Sequence, residues 1–200
     1  MALQPVLATG RVLLLLVLAA ASARMKVNLL KGSFLSFLTP VVLLAVTQDG
    51  PAVAVLVGLS GVTVQRVFPS RKIVLPQLAF NAGMITLTVT ASWFMYRALA
   101  GMHALDTIPP EMMATVLASF TYFLGNSISM LIVALTKGMS VFQIWCHHFM
   151  FSAPSFLIAG LLSLGLIAIA SSSSFIVSAL LIAISIAYYG SVRLTAEARN

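Results

Sequence analysis

Apolar runs separated by brief clusters of polar and turn-forming residues recur along the whole chain. About 20 apolar residues in a helix cover a hydrocarbon layer ~30 Å thick, so the longer runs predict membrane-crossing helices. The pattern therefore predicts an all-α fold, a polytopic membrane helix bundle of six to seven transmembrane helices plus one interfacial helix. The predicted spans cover 5–23, 34–47, 51–67, 73–97, 110–136, 151–170 and 175–192, within a bundle occupying 1–192. The interfacial helix covers 140–150, and 193–200 form a charged cytoplasmic tail.

Turn formers set most of these bounds. Thr47-Gln48-Asp49-Gly50-Pro51 parts the second and third runs. The second run is short: its helix covers about 20 Å at 1.5 Å per residue, so the pair must tilt, thin the bilayer, or dip in as a hairpin. Pro109-Pro110-Glu111 suits a helix start, because proline there lacks no needed donor and the carboxylate meets the positive helix end. Lys137-Gly138 supplies a helix stop, and Ser140 can cap the helix that follows. Pro40 and Pro154 predict kinks. The first run also has the form of a secretory signal, with Arg11 as its basic region and Ala21-Ser22-Ala23 as a cleavage site. The cations Arg24, Lys26 and Lys31 just beyond it favour an uncleaved first span.

Composition strengthens the membrane reading, since 60% hydrophobic and 8% charged residues lie far outside the soluble globular range. The net charge of +7 is spread through the connections rather than gathered on one face, which excludes a nucleic-acid partner. With seven spans and the N-terminus outside, Arg24, Lys26, Lys31, Arg66, Arg71, Lys72, Lys137, Arg193 and Arg199 fall on one side. Positive charge marks that side as the cytoplasm, and Asp49, Arg97, Asp106 and Glu111 then fall outside.

Candidate chemistry is sparse. The four carboxylates Asp49, Asp106, Glu111 and Glu197 sit in turns, at helix ends or in the tail, so neither paired-carboxylate catalysis nor a proton relay is expected, and the chain does not read as an enzyme. Cys146-His147-His148 offers metal-binding groups, but adjacent side chains on a helix diverge, and neither a metal nor a cofactor is expected. Trp145 and His148 are placed on the interfacial helix, where an indole ring anchors at headgroup level. What remains is uncharged polarity within spans: Asn81, Thr86, Thr88, Thr90 and Ser92, then Ser119, Thr121, Asn126, Ser127 and Ser129. These groups predict interhelical hydrogen bonds worth roughly 0.6–2 kcal/mol each, with Asn81 and Asn126 as candidate ligand-binding residues lining a small pocket. Ala19 with Ala23, and Ala54 with Gly58, predict close helix approach.

Several ordered pieces carry a family resemblance: Arg24-Met-Lys-Val-Asn-Leu-Leu-Lys31, the Gly50-Pro51 turn followed by Ala54, Gly58 and Arg66, and Phe80-Asn81. Tyr96-Arg97-Ala-Leu-Ala-Gly101, Tyr122-Phe-Leu-Gly-Asn126, Trp145 with Phe149, and Pro154-Ser155 complete the set. Together they resemble the N-terminal membrane-embedded sensory region of bacterial diguanylate cyclases and HD-GYP phosphodiesterases. The resemblance implies a sensor or anchor in the bacterial cytoplasmic (inner) membrane, signalling through its last helix to a cytoplasmic output domain in cyclic di-GMP signalling. Two departures stand out: His148 occupies a position where the resemblance implies asparagine, and neither a Gly-Gly-Asp-Glu-Phe motif nor a His-Asp metal motif is present. The helical pattern is also similar to substrate-binding membrane subunits of energy-coupling-factor vitamin transporters, where the Ala19-x-x-x-Ala23 face would dock a partner. A structural subunit of a membrane complex is a third reading. The partners these readings imply are the lipid bilayer, a cytoplasmic signalling domain or other membrane subunits, and a second copy of the chain.

Overall fold

The computed structural model describes residues 3–23, 25–30, 33–67, 75–101, 110–138, 140–150 and 153–170. The expectations for 175–192, for the tail and for Asp106 lie outside the described residues, as do the side chains of His147 and His148. The chain forms two compact units, 1–164 and 165–200, and the described part of the second is the end of one helix.

Helices dominate. They are α1 (Leu3–Ser22), α2 (Leu38–Gln48), α3 (Pro51–Val67), α4 (Leu75–Ala100), α5 (Pro110–Lys137), α6 (Val141–Ile144) and α7 (Ala153–Ala170). A π-helical turn, Trp145–Phe149, continues directly from α6. A two-stranded antiparallel hairpin, β1 (Lys26–Leu30) with β2 (Ser33–Ser36), stands between α1 and α2 and pairs Lys26 with Ser36. This hairpin departs from the expected all-α pattern. The backbone of Phe37 donates to the Met25 carbonyl at 3.1 Å, which closes the hairpin against the foot of α2.

The helix ends follow from local chemistry. Gly50 (φ 87) and Gly138 (φ 63) take left-handed conformations that stop α2 and α5. Ser140 precedes α6 in extended conformation but makes no side-chain cap; its carbonyl accepts from Ile144 N at 3.1 Å. Prolines open helices throughout the described residues: Pro5, Pro40, Pro51, Pro76, Pro110 and Pro154 each fall within the first three positions. The kinks expected at Pro40 and Pro154 are therefore absent, because a first-turn proline breaks no intrahelical bond.

Contacts give the helix directions. Ser60 Oγ donates to Leu16 O at 3.4 Å and Gln65 Nε2 to Ala23 O at 2.7 Å, so α1 and α3 run parallel. Between their flanks α2 runs back the other way and is buried at every position from Leu38 to Val46. An apolar helix buried all round needs no solvent-facing polar stripe, which accounts for its unbroken apolar run. Gly58 packs against Ile85 and Val89 of α4. The connection from α3 to α4 is too short to reach back along the full helix length, so the two are antiparallel. Thr88 meets Gly125, and Tyr96 lies within electrostatic reach of Glu111, which makes α4 and α5 antiparallel too. Lys26, Arg66 and Lys137 consequently share one end of the bundle, while Arg11, Asp49, Arg97 and Glu111 share the other.

Large apolar side chains lie on both sides of the helices: Leu43, Ile85 and Phe123 are buried, and many others are exposed. Leu87 (68% exposed), Val17 (65%), Phe94 (61%) and Leu13 (58%) face outward, while Ser92, Thr115, Ser119 and Ser163 are fully or almost fully buried. Among the described residues one helix, Leu75–Ala100, is long and apolar enough to cross a membrane.

Candidate functional site

Apart from Ser22 of α1 and Thr39 of α2, the buried polar residues among those described belong to α4, α5 and α7, and two seams form on α5. On α4, Asn81, Ile85, Thr88, Val89 and Ser92 are buried, which is the spacing of a single helical stripe. Thr88 presses on the backbone of Gly125, where an added Cβ would come within 2.8 Å of Thr88 Cβ. Its hydroxyl is buried without a partner, because the glycine contact offers a Cα and no acceptor. Across α5 the second seam joins α7: Ser119 donates to the Phe156 carbonyl, and Gly160 lies so close that an added Cβ would sit 2.8 Å from Ser119 Cβ.

An aromatic cluster extends this second seam. Phe123 of α5 stacks on Phe149 of the π-turn (5.0 Å between centroids, 16° between planes) and meets Phe156 of α7 edge-on at 5.4 Å. Trp145 closes the cluster at 6.4 Å from Phe123, and Tyr122 packs on Phe156 at 6.0 Å. Trp145 is half-buried here, so at least part of the indole expected at headgroup level is spent on α5. His148 lies in the same π-turn. Five aromatic rings drawn from three segments give this corner shape-specific packing, since aromatic pairs add roughly 0.5–1.5 kcal/mol beyond their buried area.

The hydroxyls of the spans mostly serve their own helices. Thr86, Ser92, Thr115, Thr121, Ser129 and Ser163 each donate to a carbonyl three or four residues back, at 2.7–2.9 Å. Among the described donors of α4 and α5, the expectation of interhelical bonds is met by Ser119, because back-bonding satisfies a hydroxyl without fixing a neighbour. Asn126 follows the same rule, donating Nδ2 to Tyr122 O at 3.0 Å. Asn81 and Asn126 are not brought together: with Thr88 level with Gly125, they stand about 9 Å apart along the α4–α5 contact.

A site that sequence reading did not assemble lies at the opposite end of α1. Arg11 Nε meets Asp49 Oδ1 at 2.9 Å and Nη2 meets Oδ2 at 3.1 Å, a two-pronged pair joining α1 to the α2–α3 turn. Burial pushes the Asp49 carboxyl above its ordinary value of 3.8, and the neighbouring guanidinium pulls it down without cancelling the effect. The signal for this pair was present: one cation inside the first apolar run and one acid in a turn that the charge count places on the same side.

Fold and seams together define a helical bundle knit by glycine, alanine and hydroxyl side chains and covered with large apolar ones. No family model, curated protein or solved structure matches the chain.

Proposed function

We propose that the chain is a multi-pass membrane module of a bacterial signalling system, a sensor or anchor that passes its state to a cytoplasmic partner or output domain. The observation that carries the membrane part is the number of large apolar side chains left outside, together with glycine and hydroxyl side chains at the close helix contacts. In lipid, helices associate through close packing and hydrogen bonds rather than by hiding apolar surface from water, so interfaces favour small residues. The ordered resemblance to cyclase and phosphodiesterase sensory regions supports the signalling part. In this reading the end bearing Lys26, Arg66 and Lys137 is cytoplasmic, and the end bearing Arg11, Asp49 and Glu111 faces the periplasm.

The vitamin-transporter reading rested on the Ala19-x-x-x-Ala23 face as a docking surface. Ala19 and Ala23 are fully buried inside the chain, and the Ala23 carbonyl is taken by Gln65 of α3. That face is occupied, so the sensor reading is preferred. Sequencing the natural reading frame through and beyond Asn200, with purification of the intact product from membranes, tests it. A cyclase or phosphodiesterase domain in the same frame, or co-purifying with it, supports the sensor. A frame that stops there and co-purification with transporter ATPase subunits sink it.

A further inference from the structure

The α2–α3 turn stops short of the level at which α4 ends. From the level where Gly58 meets α4 (midway between Ile85 and Val89), α3 extends about 10 Å to Pro51 while α4 extends about 20 Å to Ala100. The last two turns of α4, from Trp93 to Ala100, include no buried residue, as expected of a helix standing proud of its neighbours. On α1, Thr9, Gly10 and Arg11 are likewise exposed. The Arg11–Asp49 pair lies at this end of the bundle, with Asp49 largely covered and Arg11 half exposed.

We propose that Asp49 is a proton-binding site whose occupancy releases α1 from the α2–α3 turn, making this end of the bundle responsive to acid. The step is a simple proton uptake: a solvent proton binds an Asp49 carboxylate oxygen, Arg11 keeps its charge, and both charge-assisted bonds lose their acceptor charge. The pair is the one ion pair among the described residues, and it joins segments 38 positions apart in sequence. Of the charged groups near this end, Arg11 is the one that acts on Asp49; Tyr96, Arg97 and Glu111 at the ends of α4 and α5 interact among themselves. The preceding residues Thr47 and Gln48 on α2 are uncharged, and the first charged group on α3 is Arg66 at the far end.

Burial acts in the same direction by raising the Asp49 carboxyl above its ordinary value. Between the unfolded and folded values the folded chain holds more protons, so falling pH favours the folded state at this residue and rising pH through the folded value removes that stability. Opening of the pair in acid is thus a change within the folded bundle. Which compartment supplies the proton rests on the membrane-sensor reading; the opening itself does not.

The test uses the full chain in lipid nanodiscs, with Cys146→Ala and a spin-label pair at Gly10→Cys and Gln48→Cys, both exposed. Dipolar coupling is read on acidification from about pH 8 to about pH 3, which spans the carboxylate range. The expected result is a short, narrow distance at high pH whose population is lost on acidification, with helical circular dichroism unchanged. Asp49→Asn and Arg11→Gln should each show the open distribution at every pH. A wild-type distribution that ignores pH overturns the proposal, as does an Asp49→Asn chain that still responds to acid. If one variant fails to fold, the other reads the same coupling. A chain that opens in acid but proves to belong to a transporter would uphold this inference while rejecting the sensor.

Discussion

Gly125 and Gly83 are both helix-interior glycines, and their surroundings give them opposite roles. A Cβ at Gly125 collides with Thr88, whereas one at Gly83 meets nothing within 4 Å. Gly125→Ala should therefore cost about 1–3 kcal/mol through overpacking, partly recovered in the double variant with Thr88→Ala. Gly83→Ala should be neutral or stabilise by up to about 1 kcal/mol, since alanine is the better helix former. Thermal unfolding followed by circular dichroism in one detergent separates the two, and equal shifts would refute the close contact. Gly58 and Gly61 belong with Gly125, facing Ile85 and Leu38. The pairing of Ala54 with Gly58 was legible from spacing, but the choice between a filled and an open glycine was not, because spacing fixes a face and says nothing of what stands opposite.

At the scale of elements, the prolines teach most. A proline inside a long apolar run reads as a kink when the helix start is placed too early, and the expected start of the second helix preceded Leu38. The hairpin takes up those residues, so Pro40 becomes third in α2 rather than internal. Pro40→Ala should thus change stability by less than about 1 kcal/mol, whereas Leu43→Pro, at a fully buried mid-helix position, should cost about 3 kcal/mol or more. A large loss for Pro40→Ala alone would show that this ring does more than start the helix. The short length of α2, troubling for a helix alone in lipid, is resolved by its burial among α1, α3, α4 and α5. The π-turn at Trp145–Phe149 had no sequence signal, since apolar residues at helical spacing fit an α-helix equally well.

For the whole molecule, the helix directions sort the described charges to two ends in the same way as the loop count did. Reporter fusions after Gly101 and after Gly138 should therefore give opposite responses, external for the first and cytoplasmic for the second. A cytoplasmic signal at Gly101 would reject the proposed orientation.

Sequence alone determined that the chain is dominated by apolar helices, where Gly50 and Gly138 break them, and where Pro51 and Pro110 begin them, because these depend on composition and on backbone chemistry a few residues wide. Tertiary structure decided which polar groups meet. It returned Asn126 to its own helix, gave Ser119 to α7, enclosed α2 on all sides, and joined Arg11 to Asp49 across the bundle. Such pairings depend on helix level and facing, quantities set by close packing between segments distant in sequence and invisible along any one of them.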